Sequence, residues 1–384
     1  MKYFLVAGEA SGDLHAANLM AVIKRKDPDA QFKFLGGDRM AEHGGEPITH
    51  YRNMAYMGII AVVMHARSLM SIMNGCKKAI LDWEPDVLIL VDYASFNLRV
   101  AAYIKRHRPN LPIHFYIAPK LWAWKTYRIR AFRRHIDALY VIFPFEPAFF
   151  EKHAYKALYV GNPSVDSVAA FKAVASDAEV FRHQYGLDDR PILALLPGSR
   201  LAEIRSNLSV MMTVAATCPD FQVVVAGAPG VNPEVYSPFL PASTPLVFNA
   251  TYDLLKTAHV AMVTSGTATL ETALFGVPQV VCYAVKGGEA ANWAFDHFMK
   301  VPFFSLVNLI AGKAIVPELM GGRLKVENLT AALKPLLTDT PERSAMLDGY
   351  ATVQSLLGEP GAADRTAKAI CSSLGIERTP SGQR

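Results

Sequence analysis

Short unbroken apolar runs alternate with longer amphipathic stretches from the first residues onward. The runs predict strands at Tyr3–Ala7, Phe32–Leu35, Val87–Val91, Ile113–Ile117, Leu139–Phe143 and Ala157–Val160. A second series follows at Ile192–Leu196, Gln222–Ala226, Leu246–Phe248, Val260–Val263 and Gln279–Tyr283. Apolar runs without polar alternation suit parallel strands covered on both faces. With helices between them, both series read as βα units. The fold class is therefore α/β: two Rossmann-like, doubly wound parallel-sheet domains facing a central cleft. Ligands of such sheets sit at the C-terminal ends of the strands. We place the first domain at 1–165 and the second at 166–349. The mainly helical tail, from about 350 to 384, is expected to cross back to the first domain.

A chain of 384 residues exceeds one ordinary core and suits two domains. Composition is that of a globular protein, 51% hydrophobic and 19% charged, and a net charge of +5 does not by itself argue for nucleic acid. Cys76, Cys218, Cys282 and Cys371 lie far apart without a C-x-x-C, which argues against disulfides and zinc and fits a reducing compartment. The opening run reaches Gly8-Glu9 too soon for the apolar region of a signal peptide. It reads as a first strand, and a cytoplasmic location is expected.

Two turns carry anion-binding chemistry. Leu196-Pro197-Gly198-Ser199-Arg200 closes a strand and opens a helix, with Glu203 one turn on. A helix N-terminus offers free N–H groups, and Arg200 adds donors in a fork suited to phosphate. The second turn, Ser265-Gly266-Thr267, follows Val260–Val263 and leads to Glu271. Two such turns in one half suggest a nucleoside diphosphate site; alone, each is equally a tight βα connection.

The first strand ends Gly8-Glu9-Ala10-Ser11-Gly12-Asp13. Its acids would repel a pyrophosphate, so it suits sugar hydroxyls or an acceptor, unless Ser11 and Asp13 only cap the helix. Asp92 ends the third run, ahead of Asn97, where a carboxylate could take a proton from an attacking hydroxyl or simply cap a helix. Residues Lys120 to His135 hold six Lys/Arg and no acid, interleaved with Trp122, Trp124, Tyr127 and Phe132. Lys120, Lys125, Arg128, Arg130, Arg133 and Arg134 with these aromatics suit lipid headgroups, a phosphorylated substrate or RNA, or form a solvated helix face. Met54 to Ala66, with Ile59, Ile60 and Val63, is apolar except for His65 and too short to span a bilayer. It is either a buried helix or an element that dips into a membrane interface or grips an acyl chain.

Taken in order, Gly8–Asp13, Ala118-Pro119-Lys120-Leu121-Trp122-Ala123-Trp124, Phe143-Pro144-Phe145-Glu146, Leu196–Arg200 with Glu203-Ile204, and Ser265–Glu271 resemble the lipid-A-disaccharide synthase family. The likeness runs from Met1 to about Leu337. It implies the glycosyltransferase-B fold and an inverting, metal-independent transferase without a cofactor. Such enzymes join UDP-2,3-diacylglucosamine to 2,3-diacylglucosamine 1-phosphate, releasing UDP and the β-1,6-linked disaccharide of lipid A. By the same resemblance Asp92 is the general base, with Glu9 and Asp13 beside it, and Ser11 and Asn97 meet substrate. Ser199, Arg200, Glu203, Ser265, Gly266 and Thr267 hold the diphosphate side, Glu271 the ribose, and Asn308 with Glu318 a further nucleotide-side segment. The basic and apolar stretches become a docking surface on the anionic inner leaflet, peripheral on the cytoplasmic face; no nucleic acid is implied. A homodimer with a swapped C-terminal segment is compatible with the family, and nothing after Thr338 decides it. One departure stands out: where the family usually shows Asp-x-Pro-Asp-Phe-Asn, this chain reads Asp92-Tyr93-Ala94-Ser95-Phe96-Asn97. The second Asp is absent, so the base role falls on Asp92. Competing readings are another UDP-N-acetylglucosamine enzyme of the same fold, a peptidoglycan N-acetylglucosaminyltransferase or 2-epimerase, or a non-enzymatic membrane-surface or RNA-binding protein.

Overall fold

The computed structural model describes residues 1–54, 66–175, 177–285 and 301–376. Among these the chain divides into two compact units, 1–163 with 359–384, and 164–358. The first break lies two residues before the expected 165/166. The helix Pro341–Leu357 stays with the second unit, so the return starts at 359 rather than near 350.

The first unit carries a seven-stranded parallel sheet. Its strands are β1 (Lys2–Ala7), β2 (Gln31–Gly36), β3 (Glu46–His50), β4 (Val87–Val91), β5 (Ile113–Tyr116), β6 (Ala138–Val141) and β7 (Leu158–Tyr159). Their order is β3-β2-β1-β4-β5-β6-β7. Alternate residues of β1 serve opposite faces: Phe4 and Val6 enter one core cluster, Tyr3, Leu5 and Ala7 the other. Both faces are covered, which is why these strands read as unbroken apolar runs. The C-terminal helix Ala362–Ser373 adds Ala367 and Ile370 to the second cluster. The Arg365 guanidinium donates to the Val160 carbonyl at 2.7 Å, tying that helix to the end of the sheet.

The second unit holds a six-stranded parallel sheet of β8 (Ile192–Leu196), β9 (Gln222–Gly227), β10 (Leu246–Phe248), β11 (Ala258–Thr264), β12 (Gln279–Tyr283) and β13 (Glu318–Met320), ordered β10-β9-β8-β11-β12-β13. β3 and β13 have no counterpart in the apolar-run pattern. They are edge strands whose sequences, EPITH and ELM, are too polar and too short to register.

Each sheet reverses its winding order at one place, between β1 and β4 and between β8 and β11. Loops leaving such neighbouring strands part to opposite faces and open a crevice at the carboxyl ends. Ala7 pairs with Val91, so Gly8-Glu9 and Asp92 leave the first sheet side by side. Leu196 pairs with Val263, which likewise brings the Gly198–Arg200 and Ser265–Thr267 turns together.

Candidate active site

At the first switch point Asp92 and Tyr93 are both left-handed, with φ of 45° and 44°. Non-glycine residues seldom adopt this conformation, and where they do the surroundings must hold it. Asn97 does so here. Fully buried, its side-chain amide donates to the Val91 carbonyl at 3.2 Å and to the Asp92 carbonyl at 2.7 Å. This corrects the expectation that Asn97 meets substrate: its amide is turned inward and positions Asp92. The turn also explains Gly8, where a Cβ would lie 2.3 Å from the Tyr93 ring.

Asp92 is mostly buried and hydrogen-bonded to Glu9. Burial pushes its carboxyl up to about 7, and the Glu9 charge and hydrogen bond add to the rise; the Tyr93 N–H and Lys120 oppose it. The neighbouring Glu9 charge makes a second charge on Asp92 costly, which is why it favours the neutral acid there. Glu9 itself is exposed and accepts from the Ser11 hydroxyl at 3.0 Å. The structure thus places Glu9 beside Asp92, with the Ser11 hydroxyl on Glu9.

Asp13 departs from that group. It is buried, and its carboxylate accepts from Gly37 N at 2.6 Å, Arg39 N at 3.2 Å and Met40 N at 3.3 Å. Those bonds consume it as a cap for the short helix Asp38–Ala41, so the catalytic assignment is corrected to a structural one. Ser95 stands where the family pattern has its second acid. It is exposed in the first turn of the helix Ala94–His107 and accepts from the Arg128 guanidinium at 3.0 Å.

The basic aromatic segment divides in two. Trp122 is buried, its indole N–H donating at 3.1 Å to Glu146, which also accepts from Ile142 N and Phe143 N. Glu146 has no exposed surface, and burial raises its carboxyl to about 7 against those three donors. Lys120 is exposed overall, yet partial desolvation acts on its ammonium. That desolvation lowers its pKa, opposed by Asp92 and Glu146. Trp122 thus packs inside the first unit rather than on a lipid face, while the Arg128 guanidinium reaches Ser95. Trp124 and Tyr127, 57% and 68% exposed, stay on the surface with Arg130, Arg133 and Arg134. The Lys125 ammonium lies 3.9 Å from the Trp124 ring centroid. Ile59, Ile60, Val63 and the rest of that apolar stretch, Met54 and Ala66 apart, lie outside the described residues. No helix among the described residues is long and apolar enough to cross a membrane.

In the second unit the two turns border a recess of 390 Å³, lined among others by Gly198, Ser199, Gly227, Tyr252, Ser265, Gly266, Thr267 and Glu271. The volume falls in the usual range of small-ligand sites. Gly198, at φ 112°, could not be replaced cheaply: a Cβ would meet Glu203 at 2.8 Å. No side chain caps the helix Thr267–Leu274, so its N-terminus remains available to an anion. Glu203 is not an anion ligand. Its carboxylate accepts from Ser199 N and Arg200 N at 3.3 Å each and pairs with the Arg200 guanidinium at 2.9 Å. It orients Arg200 and would repel a diphosphate.

Asn308 and Glu318 are likewise corrected. Asn308 is buried, with its amide donating to Val316 O and Glu318 and its carbonyl accepting from Ile315 N and Val316 N. Glu318 also accepts from Phe304 N and Ser305 N. Their polar atoms are spent inside the protein, and they brace the segment to which the Ser265 hydroxyl donates through Phe304 O at 3.2 Å.

Sequence reasoning missed three residues here. Asn207 donates to Pro197 O and Thr264 Oγ1 and accepts from Ala284 N, tying both anion turns together. A signal existed, since it sits on the apolar stripe of its helix between Ile204 and Met211. Glu146, wedged among aromatics in Phe143-Pro144-Phe145-Glu146, was another polar residue needing internal partners. Tyr252 gave no signal at all.

Two parallel α/β units, one ending with Asp92 beside Glu9 and one in a recess with two anion turns, define an enzyme of the glycosyltransferase-B fold class. Solved structures agree on that fold. A 2-epimerase described as putative, of UDP-N-acetylglucosamine, from Listeria monocytogenes aligns over 100% of this chain and 99% of its own, with a TM-score of 0.65 and 15% identity. The UDP-GlcNAc 2-epimerase of Neisseria meningitidis, solved with UDP-GlcNAc bound, aligns over 97% and 100% with a TM-score of 0.62 and 12% identity. The family follows from the sequence. The lipid-A-disaccharide synthetase profile matches residues 3–368, and this chain belongs to that family. The lipid-A-disaccharide synthase of Myxococcus xanthus is 38% identical over 381 residues, 97% of each chain. That of Syntrophus aciditrophicus is 34% identical over 386 residues, 94% of this chain and 95% of its own.

Proposed function

We propose that this chain condenses UDP-2,3-diacylglucosamine with 2,3-diacylglucosamine 1-phosphate, giving the lipid A disaccharide 1-phosphate and UDP. The observation that carries this reading is the family match across residues 3–368. The site supplies chemistry for it. Asp92, as the carboxylate, takes the proton of the acceptor 6-hydroxyl. The acceptor oxygen attacks the donor anomeric carbon from the face opposite the leaving group, inverting α to β. The bond from that carbon to the diphosphate oxygen breaks, and UDP leaves with the electron pair. Arg200 and the N-terminal backbone N–H groups of the helix Thr267–Leu274 stabilise the charge that develops on it. Glu271 holds the ribose.

Exposed Trp124 and Tyr127, with Lys125, Arg130, Arg133 and Arg134 around them, suit an anionic leaflet. They support a peripheral placement on the cytoplasmic face of the inner membrane. The test is UDP release from UDP-2,3-diacylglucosamine with and without the monosaccharide 1-phosphate, each with and without EDTA. Acceptor-dependent release that survives EDTA is expected. Bound UDP without acceptor-dependent release would move the function to another acceptor.

A further inference from the structure

The recess in the second unit holds a polar contact that no motif announced. The Tyr252 hydroxyl donates to Glu271 Oε1 at 2.8 Å, and both residues line the recess. Tyr252 opens the helix Thr251–Thr257, while Glu271 sits mid-helix in Thr267–Leu274. The tyrosine ring is held between two other aromatic rings. Its ring packs edge-on against Phe171, at 5.4 Å and 81°, and tilted against Phe275, at 5.2 Å and 57°. Ser167 is hydrogen-bonded to the same hydroxyl. A residue so fixed lends its fixed position to its partner.

Glu271 needs that partner. Its carboxyl is largely enclosed, and burial favours the neutral acid; the Tyr252 bond opposes this and favours the carboxylate. Only the carboxylate accepts at both oxygens. With Oε1 occupied, Oε2 has no protein partner among the described residues, and it belongs to a side chain that lines the recess. With Oε1 held by Tyr252, the lone pairs of the open Oε2 are left for ribose hydroxyls at the recess wall.

We propose that Tyr252 is a positioning residue that fixes Glu271 for the ribose 2′,3′-diol, and so makes the recess select ribonucleotides over sugars lacking those hydroxyls. This rests on the reading of the recess as the UDP site. Tyr252 acts on the ribose through Glu271.

Tyr252→Phe keeps the ring and its packing and removes only the hydroxyl. Dissociation constants for UDP and for 2′,3′-dideoxy-UDP are measured by calorimetry on the whole chain, wild type and variant. The expected result is a loss of about tenfold for UDP and less than about twofold for the dideoxy compound, the size of one charged hydrogen bond. The ratio of the two constants then collapses by nearly the same factor. Unchanged UDP affinity, or equal loss for both ligands, overturns the proposal, since a packing role would weaken both alike. Glu271→Gln separates the two levels of inference. If it leaves the wild-type ratio intact, Glu271 does not read the diol and the proposal fails with the ribose assignment. If wild-type protein binds neither ligand, the reading of the recess as a UDP site fails, and the proposal with it.

Discussion

Replacing Asp92 by Asn should abolish turnover and stabilise the protein. The two effects share one cause. Asp92 ionises in the folded protein near pH 7, against 3.8 for an unperturbed carboxyl, because it is buried beside Glu9. A raised pKa in an acid means that the folded state holds the proton longer than the unfolded chain does. Below about pH 4 both states are protonated and the charge costs nothing. As pH rises from there to about 7, the unfolded chain ionises freely while the folded one resists, so stability falls. Above about 7 the whole cost is present and no longer changes. Holding the proton up to about 7 instead of 3.8 sets a ceiling of about 4 kcal/mol. Screening at the open side of the site reduces this to about 2 kcal/mol. Asn removes the charge, keeps the shape and tolerates the left-handed backbone that Asp92 adopts at φ 45°. The stability gain of Asp92→Asn should therefore be near zero at pH 4, grow through pH 5 and 6, and level off above pH 7. Denaturant unfolding of both proteins across that range measures it. Turnover should fall by about 10²–10⁴-fold, as expected for a lost general base. A variant less stable than wild type at pH 8, or a gain independent of pH, would refute the electrostatic argument even if activity were lost.

Glu9→Gln removes the like charge, so the acidic limb of the pH–rate profile, expected near pH 7 in wild type, should move to lower pH; an unmoved limb would separate Glu9 from the base. Arg200→Ala should weaken UDP binding by about tenfold, and an unchanged dissociation constant would remove Arg200 from the diphosphate site. Glu146→Gln replaces an acceptor of three N–H donors by a group with only one acceptor atom, and should cost about 2 kcal/mol in denaturant unfolding at pH 8. Trp124→Ala with Tyr127→Ala should reduce binding to anionic vesicles while leaving the melting temperature within a degree or two. Trp122→Ala should instead lower that temperature, because its ring is buried.

The apolar runs of the sequence determined the parallel sheets. A strand buried on both faces must be apolar at every position, and eleven such runs stand where strands are found. The edge strands β3 and β13 escaped because an edge has little to bury. The turns at Gly8–Asp13, Leu196–Arg200 and Ser265–Thr267 were legible because glycine and a helix start leave local marks. Which polar side chain in each turn is free to act was not legible. Asp13, Asn97, Glu203, Asn308 and Glu318 have the right chemistry and the right place in the chain, yet each spends polar atoms on bonds inside the protein. Trp122 and Trp124 stand two residues apart in one motif, and one is buried while the other meets solvent. Sequence specifies what a group can bond to. Whether a bond is left over depends on which distant N–H or carbonyl the fold carries to it, as with Gly37 N at Asp13 or Tyr252 at Glu271, and only the tertiary structure decides that.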